Sequence, residues 1–180
     1  MKPVLLVILF LLTSNPDKLL DIFVTAAANG DVNKVSSILK KGIDVNKKNR
    51  ARWNALGYAC KYGHLEVVKV LIENNANVNE TVNTGSTPLA VALLEGHFDI
   101  ATYLIEHNAD VNIADLLGMS PLMWAVKGNN SQMVSFLLLH GANINAMNQN
   151  GRSVLDLADN EQMIKLLRSK GAKTSAELLK

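Results

Sequence analysis

The sequence predicts an all-α fold, an α-solenoid of five stacked helix-turn-helix repeats with projecting hairpin-like loops. Three observations carry this reading: residues recurring at one fixed spacing, helix-capping side chains in the same register, and glycine or asparagine where each helix must stop. Ala26, Ala59, Ala92, Ala125 and Ala158 are each 33 residues apart, and the same step links Leu56, Leu89, Leu122 and Leu155, and Ile38, Leu71, Leu104 and Leu137. A fixed period of about 20 to 50 residues denotes a stacked array whose units are too small to bury their apolar faces alone.

The first helix of each pair is announced by its cap. Asn54, Thr87, Ser120 and Ser153 share the register, and each side chain can accept a hydrogen bond from the free N–H groups of a helix start. Pro88 and Pro121 follow two of them at the first helical position, where the missing N–H costs nothing. Gly63, Gly96 and Asn129 end the first helices, and Gly42, Asn75, Asn108 and Gly141 end the second, because Gly and Asn enter the left-handed conformation cheaply. The second helices carry apolar residues at three-and-four spacing, as in Val67, Val68, Leu71 and Ile72, which gives each one dry face. Links such as residues 46–54 and 79–87 are polar and turn-rich, too short for another helix, and suit a projecting loop.

These residues resemble the ankyrin repeat over about residues 17–173. One unit carries Gly85-Ser86-Thr87-Pro88-Leu89, Glu95-Gly96-His97 and Asn108-Ala109-Asp110-Val111-Asn112. Others depart from the pattern: Asn54-Ala55-Leu56-Gly57 replaces Thr-Pro-Leu-His, and Asn129-Asn130 replaces Gly-His. The ankyrin-type domain is expected over residues 15–180, with an N-terminal cap at 17–46, repeats at 47–79, 80–112 and 113–145, a C-terminal cap at 146–173 and a tail at 174–180. Ala158 and Gly171 are 13 residues apart rather than 16, so the last unit is expected to lack three residues at its inter-helix turn.

Residues 1–14 differ in kind. Met1-Lys2-Pro3 precede nine apolar residues, 4–12, which as a helix cover about 14 Å, half of a bilayer's hydrocarbon core. That pattern fits a secretory signal peptide better than a stable membrane span and points to a secreted or periplasmic protein. The alternative is a cytoplasmic protein, or one anchored by the uncleaved apolar segment.

Composition narrows the function classes. At 48% hydrophobic over 180 residues the chain can build a core, and disorder is excluded as its main state. A formal charge of +2 is too weak a field to imply nucleic acid or anionic membrane by default. The single cysteine, Cys60, excludes an internal disulfide and multi-cysteine metal sites. Cys60 and His64 are spaced like a nucleophile and its base, yet Cys60 falls in a small-residue core register and His64 in the turn beyond the helix. His107 and His140 share a register without a third ligand. No phosphate-cradling glycine loop or paired catalytic carboxylates occur, so no cofactor, metal or small-molecule substrate is expected and the chain reads as a non-enzyme.

Surface recognition of another protein by a monomer is the function that remains. Resemblance to ankyrin proteins implies a concave binding side made of loop tips and exposed first-helix positions. Register assigns Lys48, Arg50, Trp53 and Tyr62 to it from the first middle repeat, Ser86 and Leu94 from the second, Leu116, Leu117 and Met119 from the third, and Met147 from the last loop. The apolar members stand where solvated residues are expected and suit interface anchors. Tyr58 and Trp124 fall in a half-buried inner-helix register and are assigned to the core. Charge is banded: ten Lys/Arg against five Asp/Glu in residues 17–70, none against seven in 71–126, and seven against four in 127–180. The basic run Lys47-Lys48-Asn49-Arg50-Ala51-Arg52 beside Trp53 raises nucleic-acid binding as the alternative, which the acidic middle opposes.

Overall fold

The computed structural model describes residues 16–180; the expected signal peptide, residues 1–14, lies outside them. The chain divides into two units, one ending at Ala76 and the other spanning Asn77–Lys180.

The first unit holds α1 (Pro16–Ala28), α2 (Val32–Leu39), α3 (Ala55–Lys61) and α4 (Leu65–Glu73). Phe23, Ile38, Leu56 and Leu71 are fully buried and form its core, so the register alanines and leucines are what the helices pack on. The second unit holds α5 (Pro88–Leu94), α6 (Phe98–Glu106), α7 (Pro121–Lys127), α8 (Ser131–Leu139), a 3₁₀ turn (Leu155–Leu157), α9 (Glu161–Ser169) and α10 (Ser175–Leu178). Its core contains Leu89, Ile100, Leu104, Leu122, Leu137 and Met163.

Caps and stops follow the sequence reading. The Asn54, Thr87 and Ser120 side chains accept from the backbone N–H of Gly57, Ala90 and Met123 at 2.8, 3.2 and 3.3 Å. The seven expected stop residues, Gly42, Gly63, Asn75, Gly96, Asn108, Asn129 and Gly141, all have positive φ. Asn54 caps imperfectly: it is buried, and its Nδ2 has no hydrogen-bond partner.

Each loop closes as a hairpin at the same register. The backbone N–H groups of Asn49, Val82, Asp115 and Asn148 donate to the carbonyls of Trp53, Ser86, Met119 and Arg152 at 2.9 to 3.1 Å. At the loop tip Gly85, Gly118 and Gly151 have φ of +74°, +73° and +71°, and the equivalent residue of the first loop is Arg52, at φ +61°. A side chain in that conformation costs about 1–2 kcal/mol relative to glycine.

A second hydrogen-bond system, formed by asparagines 33 apart, ties one repeat to the next. Asn79 Oδ1 accepts from Asp110 N at 2.9 Å, Asn112 Oδ1 from Asn143 N at 2.8 Å, and Asn145 Oδ1 from Lys173 N at 2.9 Å. In the first unit Asn46 Nδ2 donates to the Asn75 carbonyl at 3.5 Å.

The last unit corrects the sequence reading. The three missing residues come from its first helix and not from the turn alone: that helix is reduced to the 3₁₀ turn, after which Asn160 caps α9 through Met163 N at 2.8 Å. Ser153 therefore caps no α-helix, although its hydroxyl accepts from Asp156 N at 3.2 Å. Residues 174–180 also carry structure: α10 has a capping box between Thr174 and Glu177, and Glu177 pairs with Arg168 at 2.7 Å.

Candidate functional site

The first loop and α3 gather an aromatic cluster. Asn49 Oδ1 accepts from Trp53 N at 3.0 Å, which holds the loop around the tryptophan, and Asn49 Nδ2 donates to the Tyr58 hydroxyl at 3.3 Å. The Trp53 and Tyr58 rings lie 5.2 Å apart, and Tyr58 and Tyr62 lie parallel at 6.3 Å. The Lys61 ammonium is 5.4 Å from the Trp53 ring centre and 5.6 Å from that of Tyr62. Tyr58 thus belongs to the surface cluster and not to the core, because one helical turn brings Tyr58 and Tyr62 onto one face. That four-residue spacing was a signal available in the sequence. Arg50 is exposed 4.0 Å from Asp17, while Lys48 and Trp53 are half-buried.

In the second unit Leu94, Leu116 and Leu117 are 51%, 64% and 61% exposed. Two of them stand in a rigid loop. Leu116 N donates to the Thr84 carbonyl at 3.0 Å and Gln149 N donates to the Leu117 carbonyl at 3.0 Å, so adjacent loops are stitched tip to tip. Asp115 Oδ1 accepts from Leu117 N and Met119 N, and its Oδ2 from Trp124 Nε1 at 3.2 Å.

Two expected anchors are buried instead of solvated. Met119 is turned under the loop, where its sulfur accepts from Asn148 Nδ2 at 3.5 Å. Ser86 is buried at the base of its hairpin, with its hydroxyl accepting from Thr84 Oγ1 at 2.9 Å. Met147 is half-buried in an isolated bridge with Ser153. Shortening of the final first helix leaves a groove of about 180 Å³ lined in part by Leu117, Trp124, Lys127, Arg152 and Leu157. Trp124 is accordingly half-buried at a surface, with the Lys127 ammonium 5.2 Å from its ring centre.

The cysteine and histidine candidates have structural partners. Cys60 is fully buried, and burial pushes its thiol pKa up, away from the reactive thiolate. His64 Nε2 lies 2.9 Å from the Ala28 carbonyl. His107 and His140 each place Nδ1 on the carbonyl four residues back, Tyr103 at 2.8 Å and Phe136 at 2.9 Å. Among the described residues no group of three or more His, Cys, Asp or Glu could hold a metal ion, and no helix is long and apolar enough to cross a membrane.

Curated proteins are similar over short stretches. The E3 ubiquitin-protein ligase XBAT33 of Arabidopsis thaliana is 47% identical over 47 residues, 26% of this chain and 9% of that protein. Ankyrin repeat domain-containing protein 40 is 42% identical over 48 residues in Mus musculus and in Homo sapiens, 26% of this chain and 13% of each relative. A family model described as ankyrin repeats in three copies matches residues 23–115 and 111–177. With the capped helix pairs, hairpin loops and 33-residue register on the same residues, the chain belongs to the ankyrin-repeat family.

Proposed function

We propose that this chain is an exported, non-catalytic module that binds a partner protein, as a monomer, with its loop tips and the exposed positions of its first helices, the side that is concave in ankyrin proteins. Ankyrin repeats are protein–protein interaction modules, which sets the broad class. The observation that supports the finer reading is the exposure of Leu116 and Leu117 on a loop whose backbone is hydrogen-bonded on both sides. Large apolar groups held in water on a rigid frame gain about 25 cal/mol per Å² when a partner covers them, with little ordering left to oppose it. Export rests on the apolar run at residues 4–12.

The test of the surface is affinity capture from the native compartment, followed by direct binding of the captured protein. Leu116→Ala and Leu117→Ala should each weaken binding by more than about 1 kcal/mol with an unchanged melting curve. The outer-helix controls Lys69→Ala and Thr102→Ala should not; equal losses from both sets would refute the assignment. Intact-mass measurement of protein from the source cell tests export separately: a mature chain beginning near Asn15 supports it, and Met1 retained on soluble cytosolic protein refutes it.

A further inference from the structure

We propose that the first loop together with α3 docks an acidic segment of the partner that carries an aromatic or large apolar side chain; this rests on the protein-binding reading above. Three of the five Trp and Tyr residues of the chain, Trp53, Tyr58 and Tyr62, form one connected cluster here. Lys61 lies over two of the rings, and the loop beside them exposes Lys47, Arg50 and Arg52. The one acidic group paired with these loop cations, Asp17, meets Arg50 at 4.0 Å with both side chains exposed, a contact that a competing carboxylate displaces readily. Charge on the surface is therefore complementary to an acidic chain, and the rings offer apolar edges to a side chain between its carboxylates.

The local framework is less stable than its equivalents, in the place where a binding role would require it. Arg52 takes the left-handed conformation at the register held by Gly85, Gly118 and Gly151. Two residues on, buried Asn54 leaves its Nδ2 unpaired where Thr87 and Ser120 cap without an orphan donor. Both departures flank Trp53. A guanidinium kept at a position that favours glycine marks strain retained for contact with something outside the chain.

A peptide fits better than single-stranded nucleic acid. Base stacking needs an open ring face for each base, whereas Tyr58 stands between Trp53 and Tyr62 and Lys61 sits over the outer two. Carboxylates need only the cations, and an apolar side chain needs only ring edges.

Calorimetric titration of the full chain decides this. The probes are a short synthetic peptide alternating Glu and Phe, its Lys–Phe counterpart, and an oligothymidylate matched in charge to the acidic peptide. The Glu–Phe peptide should bind, more weakly as salt rises, and the Lys–Phe peptide should not. Arg52→Gly should weaken that binding about tenfold while raising the melting temperature, a pairing that damage to the fold would not produce. Tyr62→Ala should weaken it with melting unchanged. Equal binding of both peptides, tighter binding of the oligothymidylate, or unaltered affinity in Arg52→Gly would overturn the proposal. A native partner lost by Leu116→Ala but held fully by Arg52→Gly would also overturn it, while leaving the protein-binding reading intact; a partner indifferent to both would overturn the two together.

Discussion

Asn112 and Asn143, 31 positions apart, are joined across a repeat boundary: the Asn112 side-chain oxygen accepts the Asn143 backbone N–H at 2.8 Å, and its Nδ2 donates to the Gly141 carbonyl at 3.0 Å. One exposed amide thus satisfies two backbone groups of the next unit. Asn112→Ala removes both bonds and should lower stability by about 1–2 kcal/mol in urea unfolding, because each net hydrogen bond contributes about 0.5–1.5 kcal/mol. A change below about 0.3 kcal/mol would show that water replaces the pair fully.

Leu104 is fully buried between the helices of the second unit. Leu104→Ala should cost about 2–5 kcal/mol from lost burial and the cavity left behind. Cys60→Ala removes much less volume and should be milder, and Cys60 in the folded protein should resist alkylation until denaturant is added. Rapid labelling under native conditions would contradict the buried, protonated thiol.

Gly118 and Gly96 separate backbone strain from steric conflict. Both have positive φ, but a Cβ at Gly118 would stand 2.7 Å from Gln149 N, whereas at Gly96 nothing lies within 4 Å. Gly96→Ala should cost about 1 kcal/mol and Gly118→Ala clearly more, with disturbance of the Gln149 amide signal that reports the loop-to-loop bond.

The orphan amide of Asn54 predicts a gain. Asn54→Thr keeps the cap oxygen and removes a buried unpaired donor, so the melting temperature should rise by an amount equivalent to about 1 kcal/mol. A fall would mean that the amide is better accommodated than its lack of a protein partner implies.

The C-terminal segment should be acid-labile. Partial burial of Asp156 pushes its carboxyl up, but hydrogen bonds from Ser153 and Ser175 outweigh this and hold it at about 2. The Thr174 backbone N–H, then the Arg168 guanidinium and the Thr174 hydroxyl, hold Glu177 at about 2. Both folded-state values are depressed, so their stabilising contribution is complete above the ordinary carboxylate range and is lost as pH falls from there towards 2. Hydrogen exchange at Ser175 should accelerate across that window relative to core amides in α6; uniform protection would refute the clasp.

Repeat number, helix starts, helix stops and most core positions were determined by the sequence alone, because each depends on a local rule repeated every 33 residues: a cap oxygen, a glycine or asparagine at a stop, an apolar stripe. Packing decided what those rules leave open. Met119 and Leu117 are near neighbours on one loop, yet one is buried beneath it and the other stands in water, a choice set by the Asp115 and Asn148 hydrogen bonds. Tyr58 and Trp124 stand at surfaces because of contacts with Asn49, Tyr62 and Asp115 that come from other turns and loops. The three residues missing from the last unit were visible as a number, but their removal from the first helix followed from tertiary structure, since Asn160 must stay in register to cap α9 while Asp156 turns to hold Ser175 at 2.9 Å. Periodic patterns record local preference; burial at a loop or a truncated end depends on which distant groups arrive to satisfy it.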